Sequence, residues 1–128
     1  MTIIIPGVPM AKPRMTRRDT WKLRPCVLAY RDFCDRARMA ANWPAKRRLA
    51  GIWAIEVLVY LPMPRSWSER KRSQYAGTPH TQRPDGDNLL KAVCDALFVN
   101  DECLYRQTVV KYWDDGCGPR ACVVVEQL

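Results

Sequence analysis

The sequence predicts a single α+β domain: a small mixed β-sheet of about four strands packed against two main helices, in the order β-α-β-α-α-β-β. Three observations predict it. Short β-branched or doubly apolar runs give way to stretches where apolar residues recur at three and four, switching several times along the chain. Proline and glycine breaks separate those stretches without forming a linker long enough to divide the chain. At 128 residues the chain has the size of one domain, residues 1–128, enough to bury roughly two-thirds of the surface its unfolded form exposes.

The first element is a strand, Thr2 to Ile5, a β-branched run closed by Pro6-Gly7. From Val8 to Pro25 the chain is irregular. Pro9, Pro13 and Pro25 block regular structure there, and Lys12, Arg14, Arg17, Arg18, Lys22 and Arg24 supply charge. Between Val27 and Ala41, the residues Tyr30, Phe33, Cys34, Ala37 and Ala41 mark an amphipathic helix, which Pro44 ends. Lys46-Arg47-Arg48 is a basic linker. Gly51 to Leu61 is the strongest strand. Trp53, Ile55, Val57, Val59 and Leu61 line one face, and Ile52, Ala54, Leu58 and Tyr60 make the other nearly as apolar. A strand of that kind belongs in the middle of a sheet or under cover on both sides. Its one charge, Glu56, needs a partner or a wet edge.

Pro62 and Pro64 stop that strand. Ser66-Trp67-Ser68-Glu69 matches a capping box with Ser66 as N-cap, opening a short helix that carries Arg70, Lys71 and Arg72 and ends near Gly77. After Thr78-Pro79-His80, Pro84 leads Asp85-Gly86-Asp87 into a second amphipathic helix, with Leu90, Val93, Cys94 and Leu97 facing inward. Val99 to Glu102 is a loop. Leu104 to Trp113 and Ala121 to Val125 read as two strands, joined through Asp114–Pro119 by a hairpin connection with Asp-Gly turn chemistry.

Charge narrows the chemistry. Against 13 Asp+Glu stand 21 Lys+Arg, a formal charge of +8, and a small domain that basic commonly meets a polyanion, nucleic acid above all. Apolar runs fall far short of the roughly 20 residues of a spanning helix, so no membrane partner is expected. Met1 to Pro6 has neither a basic segment nor a cleavage site, which points to a cytoplasmic protein with reduced thiols. The six cysteines (Cys26, Cys34, Cys94, Cys103, Cys117 and Cys122) contain no C-x-x-C pair, arguing against a zinc ribbon or redox motif. Only Cys117 and Cys122 could face each other across a turn. A single histidine, His80, excludes a His-rich metal site.

Carboxylates are scarce in this chain, yet they crowd between Asp85 and Glu102. Asp85 and Asp87 lie two apart at a helix entrance, with Gly86 between them to let the backbone turn sharply. On a helix beginning at Asp87, Lys91 and Asp95 are rotated only about 40° and 80° from it, so the three share a polar face. Asp101, just past the helix, reaches back if its loop folds over the helix side. Phosphodiester cleavage calls for such acids. Hard divalent cations on carboxylate oxygens offset charge at an anionic centre and lower the pKa of a bound water. Magnesium typically takes only one or two protein carboxylates, with waters and substrate phosphate completing its shell. Asp85, Asp87 and Asp101 suffice for Mg2+, or Mn2+ as a substitute, and Lys91 is placed to orient the nucleophile or stabilise the leaving oxygen. Spacing alone also fits a plain helix cap with acids favoured by the helix dipole, and an exposed i,i+4 pair of Asp87 with Lys91. By the same standard His80 reads as a structural turn residue, and Lys111 as an edge charge against aggregation.

The run His80 to Lys91, H-x-x-R-P-D-G-D-N-L-L-K, with Asp95-Ala96-Leu97 and Asn100-Asp101-Glu102 after it, resembles the signature of the RusA-like Holliday junction resolvases. Ile5-Pro6-Gly7-Val8-Pro9 with Lys12 and Arg14, and Pro64-Arg65-Ser66-Trp67-Ser68 before a basic helix, are similar to versions common in prophages. The resemblance implies a magnesium-dependent endonuclease of bacterial or phage origin. It would act as a homodimer and nick symmetric strands of four-way DNA junctions in recombination and repair. It also implies catalytic aspartates at Asp85, Asp87 and Asp101 and an essential lysine at Lys91. The run Asn100-Asp101-Glu102-Cys103 departs from the family's usual two adjacent acids followed by a Ser/Gln-type pair; the catalytic acid aligns with Asp101, and Glu102 is a candidate to share its place. A two-fold symmetric junction suits a C2 dimer. Lys12, Arg14, Arg65, Arg70, Lys71, Arg72 and Arg83, with His80 among them, would contact its phosphates, whereas Lys46–Arg48 fits a solvated face equally well. Trp67 either stacks on an unpaired base or closes the core beneath its helix. Two other readings stay open: a module that grips branched DNA without cutting it, and a nuclease for flaps or other branched nucleic acids.

Overall fold

The strand with two apolar faces, β2 (Trp53–Leu61), is central in a computed structural model that describes residues 1–20 and 22–128. Residue 21, within the stretch expected to be irregular, lies outside the described residues. Around β2 stand β1 (Thr2–Pro6), β3 (Leu104–Trp113) and β4 (Arg120–Gln127), in a mixed four-stranded sheet of order β1-β4-β2-β3. β2 runs parallel to β3, with Val57 opposite Val109 and Leu61 opposite Trp113, and antiparallel to β4, with Val57 opposite Val123. β4 runs antiparallel to β1. The expected α+β class and element order are found, with one addition, a 3-10 turn over Arg17–Thr20.

Two helices cover one face of the sheet. Helix α1 (Pro25–Ala41) carries its proline at the first turn, where a missing N–H costs nothing. Asn42, in the left-handed conformation (φ 58°), ends it before Pro44 is reached. Helix α3 (Gly86–Leu97) follows a short α2 (Glu69–Tyr75). From α1 come Phe33 and Ala37, and from α3 Leu89, Val93 and Leu97, packed on Ile3, Ile5, Ile55, Val57, Val59 and Val123 in one core. The other face is wetter. Ile4 is 57% exposed, and Glu56, Leu58, Val110 and Val124 are half-buried, so Glu56 obtains the water its charge needs.

Three expectations are corrected. β3 and β4 form no hairpin: the Asp114–Pro119 connection carries the chain across the end of β2, which lies between them. The turn chemistry is present, since Asp114 Oδ1 accepts from the N–H groups of Gly116 (3.1 Å) and Gly118 (3.0 Å), and both glycines have positive φ. Local turn bonds, however, do not choose strand partners. β2 has apolar residues on both faces and two edges to pair, and a neighbour on each side satisfies both edges while the helices bury one face. The N-cap of α2 is Ser68, not Ser66; its Oγ accepts from Lys71 N–H at 3.2 Å. Trp67 N–H donates to the Pro64 carbonyl (3.1 Å), which uses Ser66 inside a turn. Leu89 rather than Leu90 points squarely inward, 1% exposed, while Leu90 packs half-buried on the flank. Cys117 is exposed and Cys122 half-buried, both as free thiols.

Leu61→Ala, at a position 2% exposed, should lower stability by about 2–5 kcal/mol, whereas Ile4→Ala on the open face should stay within about 0.5 kcal/mol. Urea unfolding midpoints of the two variants measure this, and equal losses would contradict the assignment of faces.

Candidate functional site

Among the described residues, the acids at the start of α3 form no ion pair. Asp85 is the N-cap, yet its side chain makes no capping bond, so the plain-cap reading leaves its carboxylate unexplained. Asp87 Oδ1 accepts only from the neighbouring Asn88 N–H (2.9 Å). The ion pairs among the described residues join Arg24 to Asp19, Arg36 to Asp32, Arg38 to Asp35 and Arg120 to Asp115. Asp87 and Lys91 are therefore not the salt-bridged pair their spacing allows. Both are exposed, as is Asp85. Gly86 lets this helix start lie against β3, because a Cβ there would come within 3.1 Å of Val109 Cγ1.

The segment leading to Asp85 has no regular structure and is held along the outer edge of β3. Trp113 N–H donates to the Thr78 carbonyl (2.9 Å), and His80 N–H to the Lys111 carbonyl (3.0 Å). The His80 ring is buried, 4.1 Å from the Trp113 ring centroid, and its Nδ1 accepts from Gln82 N–H at 3.3 Å. Burial and, secondarily, the charge of Lys111 hold the imidazole below its ordinary pKa. His80 thus braces the loop from beneath. Lys111 Nζ donates to the Gln82 carbonyl at 2.6 Å and the Pro84 carbonyl at 2.9 Å. Reading it as an edge charge missed this. The available signal was the period of two, which sets Lys111 on the same strand face as Val109 and Trp113.

Asp101 stands past the other end of α3. The 12 residues of that helix span about 18 Å at 1.5 Å per residue. The loop after it does not fold back over the helix side. Val99 N–H donates to the Arg47 carbonyl (2.8 Å), and the Asn100 side chain accepts from Leu49 N–H (2.8 Å) and donates to the Leu49 carbonyl (3.1 Å). A backbone N–H and the Asn100 amide hold the Glu102 carboxyl below its usual range. Burial, with the charges of Asp101 and Asp95 behind it, pushes the Cys94 thiol up to about 12. No three His, Cys, Asp or Glu side chains among the described residues are grouped to share a metal ion. One chain thus sets Asp85, Asp87 and Lys91 on one helix start and leaves Asp101 at the opposite end.

Several cations lie at the Asp85 end. Lys71 Nζ lies 4.4 Å from the Trp67 ring centroid, and Trp67 packs on Tyr75 (5.2 Å) and Trp113 (4.7 Å), closing the core beneath α2. Through Trp113 this cluster touches His80. Arg72 is committed to the carbonyls of Trp67 (3.1 Å) and Pro64 (2.9 Å). Arg65, Arg70, Lys71 and Arg83 remain exposed. Met10 and Ala11 line a cleft of about 390 Å³ with His80, Arg83 and Pro84, which brings the segment carrying exposed Lys12 and Arg14 to the same region. Lys46–Arg48 belongs with Asn100 at the far end, where the Arg47 guanidinium lies 4.5 Å from the Trp43 ring centroid.

A family model described as endodeoxyribonuclease RusA matches residues 5–126 of this chain. No curated protein matches it.

Because the imidazole of His80 is held below its ordinary value of 6.5, the unfolded chain takes up that proton first as pH falls. Stability should therefore decline as pH drops through 6.5, and His80 should have no such effect above it. Urea unfolding at successive pH values should show a shallower decline for His80→Asn than for the parent; identical slopes would contradict the buried, neutral imidazole.

Proposed function

Since the chain belongs to the RusA endodeoxyribonuclease family, we propose that it is a magnesium-dependent nuclease that resolves four-way (Holliday) junctions by paired symmetric nicks. The observation that carries this reading is the pair of exposed carboxylates, Asp85 and Asp87, which have no cationic partner among the described residues of a chain of charge +8. A pure binding module gains nothing from bare acids turned toward a polyanion, which favours cleavage over binding alone. Asp85 and Asp87 would hold the ion, two carboxylates being enough when waters and a phosphate oxygen complete its shell. Bound there, Mg2+ supplies Lewis-acid stabilisation and a water of lowered pKa. Lys91, one turn beyond Asp87, sets an ammonium group against the phosphate or the leaving oxygen. Lys12, Arg14, Arg65, Arg70, Lys71 and Arg83 hold the DNA backbone, contacts that position without reading sequence. Arg72 shapes the turn before α2, and His80 supports the loop.

The part of Asp101 in this site is tied to a homodimer. A two-fold axis across the middle of β3 exchanges the ends of that strand. Asp101 lies before its start, where its carbonyl accepts from Leu104 N–H (3.0 Å), and Asp85 lies beside Lys111 near its end. A second copy so arranged would bring its own Asp101 to this helix start.

Asp85→Asn and Asp87→Asn should each reduce Mg2+-dependent nicking of a synthetic four-way junction by about 1,000-fold or more, with junction binding intact. Denaturing gels with and without magnesium read the outcome, and full activity in either variant or in excess chelator rejects the metal site. Mixing Asp85→Asn protein with Asp101→Asn protein should restore nicking to about a quarter of the parent's, because half of randomly exchanged dimers are mixed and each holds one intact site. No restoration after subunit exchange would place Asp101 outside a shared site.

A further inference from the structure

We propose that Lys111 is a positioning residue that sets the direction in which the Asp85 carboxylate leaves its loop; the idea rests on the metal-site reading above. β3 is the edge strand beside the loop, and its inward residues alternate as Val109, Lys111 and Trp113. All three meet the same segment. Val109 lies under Gly86, so that a Cβ there would come within 3.1 Å of it. Trp113 packs on His80, with 4.1 Å between ring centroids. Between them Lys111 Nζ donates to the carbonyls of Gln82 (2.6 Å) and Pro84 (2.9 Å), on either side of Arg83. The Pro84 carbonyl belongs to the peptide bond that leads into Asp85, so the ammonium group is anchored one peptide from the proposed ligand.

The chemistry at this position is specific. An ammonium group on a flexible stem carries three donors and no acceptor, and it bonds carbonyls by charge-assisted contacts stronger than those of a neutral donor. Proline gives the segment no N–H at position 84 with which to bond a strand edge. A side-chain cation supplies from the strand the hydrogen bonds that the loop backbone cannot make as a ladder. Two of its donors are spent on main-chain carbonyls, which sets Lys111 apart from Arg65, Arg70 and Arg83, whose exposed groups are available to phosphates. A displacement of about 1 Å at a reacting centre can cost on the order of 100-fold in rate, so a loosened Pro84–Asp85 link would act on turnover rather than on DNA affinity.

Lys111→Met keeps the stem and removes the donors, and Lys111→Arg restores them. In Lys111→Met, Mn2+ binding to the protein without DNA, followed by electron paramagnetic resonance, should weaken about 10-fold, and kcat for junction nicking should fall about 10- to 100-fold. The junction Kd without divalent metal should stay within about twofold, because these donors face carbonyls and not phosphates. Amide exchange at Asp85–Asp87 should quicken. Lys111→Arg should recover most of kcat and of the amide protection. Parent-like Mn2+ affinity and kcat in Lys111→Met would overturn the proposal, and so would a junction affinity that falls in step with kcat. If Lys111→Met does not fold, Lys111→Gln, with a shorter neutral donor, takes its place and should fall below Lys111→Arg in both measures; equality of the two overturns the idea. A parent protein that neither binds Mn2+ nor nicks would refute the metal-site reading instead, and amide exchange would then decide the role of Lys111 alone.

Discussion

The constraint from which the architecture follows is the double-sided apolar character of β2. A strand apolar on both faces, with two edges to pair, takes the centre of the sheet, and here it takes β3 on one side and β4 on the other. β3 runs parallel to it, and parallel neighbours need a crossover. The segment between them supplies it through α2 and α3. A crossover helix returns along the sheet, so α3 begins near the end of β3, where Gly86 meets Val109, and finishes near the start of β3. The distribution of the acids follows directly: Asp85 and Asp87 at one end of the molecule, Asp101 at the other.

Four carboxylates among the described residues are paired with arginines. Asp19 and Asp115 are each held by an arginine, Arg24 and Arg120, whose hydrogen bonds keep the carboxyl well below the usual range. Asp32 and Asp35 pair with arginines on the surface of α1. These acids organise loops and helix faces. Among the described residues Asp85 and Asp87, like several other acids, have no such partner, although several cations lie at the same end of the fold. The nearby cations are themselves divided. Arg72 holds carbonyls before α2 and Lys111 holds carbonyls before α3, while Arg65, Arg70, Lys71 and Arg83 stay exposed.

A loop of irregular backbone carries the chemistry, and the neighbouring strand gives it shape. His80 beneath it, Lys111 beside it and Val109 under Gly86 act on the segment from His80 to Gly86. This arrangement lets proline and glycine stand in a sequence that must also present two carboxylates, because rigidity comes from β3 rather than from the loop itself. The imidazole contributes by being buried and neutral, a packing role for the sole histidine of the chain.

Local pattern determined much by itself. The β-branched run Thr2–Ile5, the doubly apolar run Trp53–Leu61, and three-and-four spacing in Val27–Ala41 and around Val93 were sufficient for the class, the element order and most of the core, because buried surfaces write their own pattern into the chain. The proximity of Asp85, Asp87 and Lys91 was legible for the same reason: all lie within about two helix turns. Tertiary structure decided the rest. The Asp114–Pro119 turn is well formed yet joins strands that do not pair, since partner choice depends on what β2 buries and not on the turn. Ser68 replaced Ser66 as the cap because the Pro64–Trp67 turn claimed the earlier serine. Lys111 became a clamp, and Asp101 parted from the other acids, through contacts between residues distant in sequence. One-dimensional spacing measures neighbours along a helix or strand, but the distance between a strand and the loop lying on it is set only when the sheet assembles.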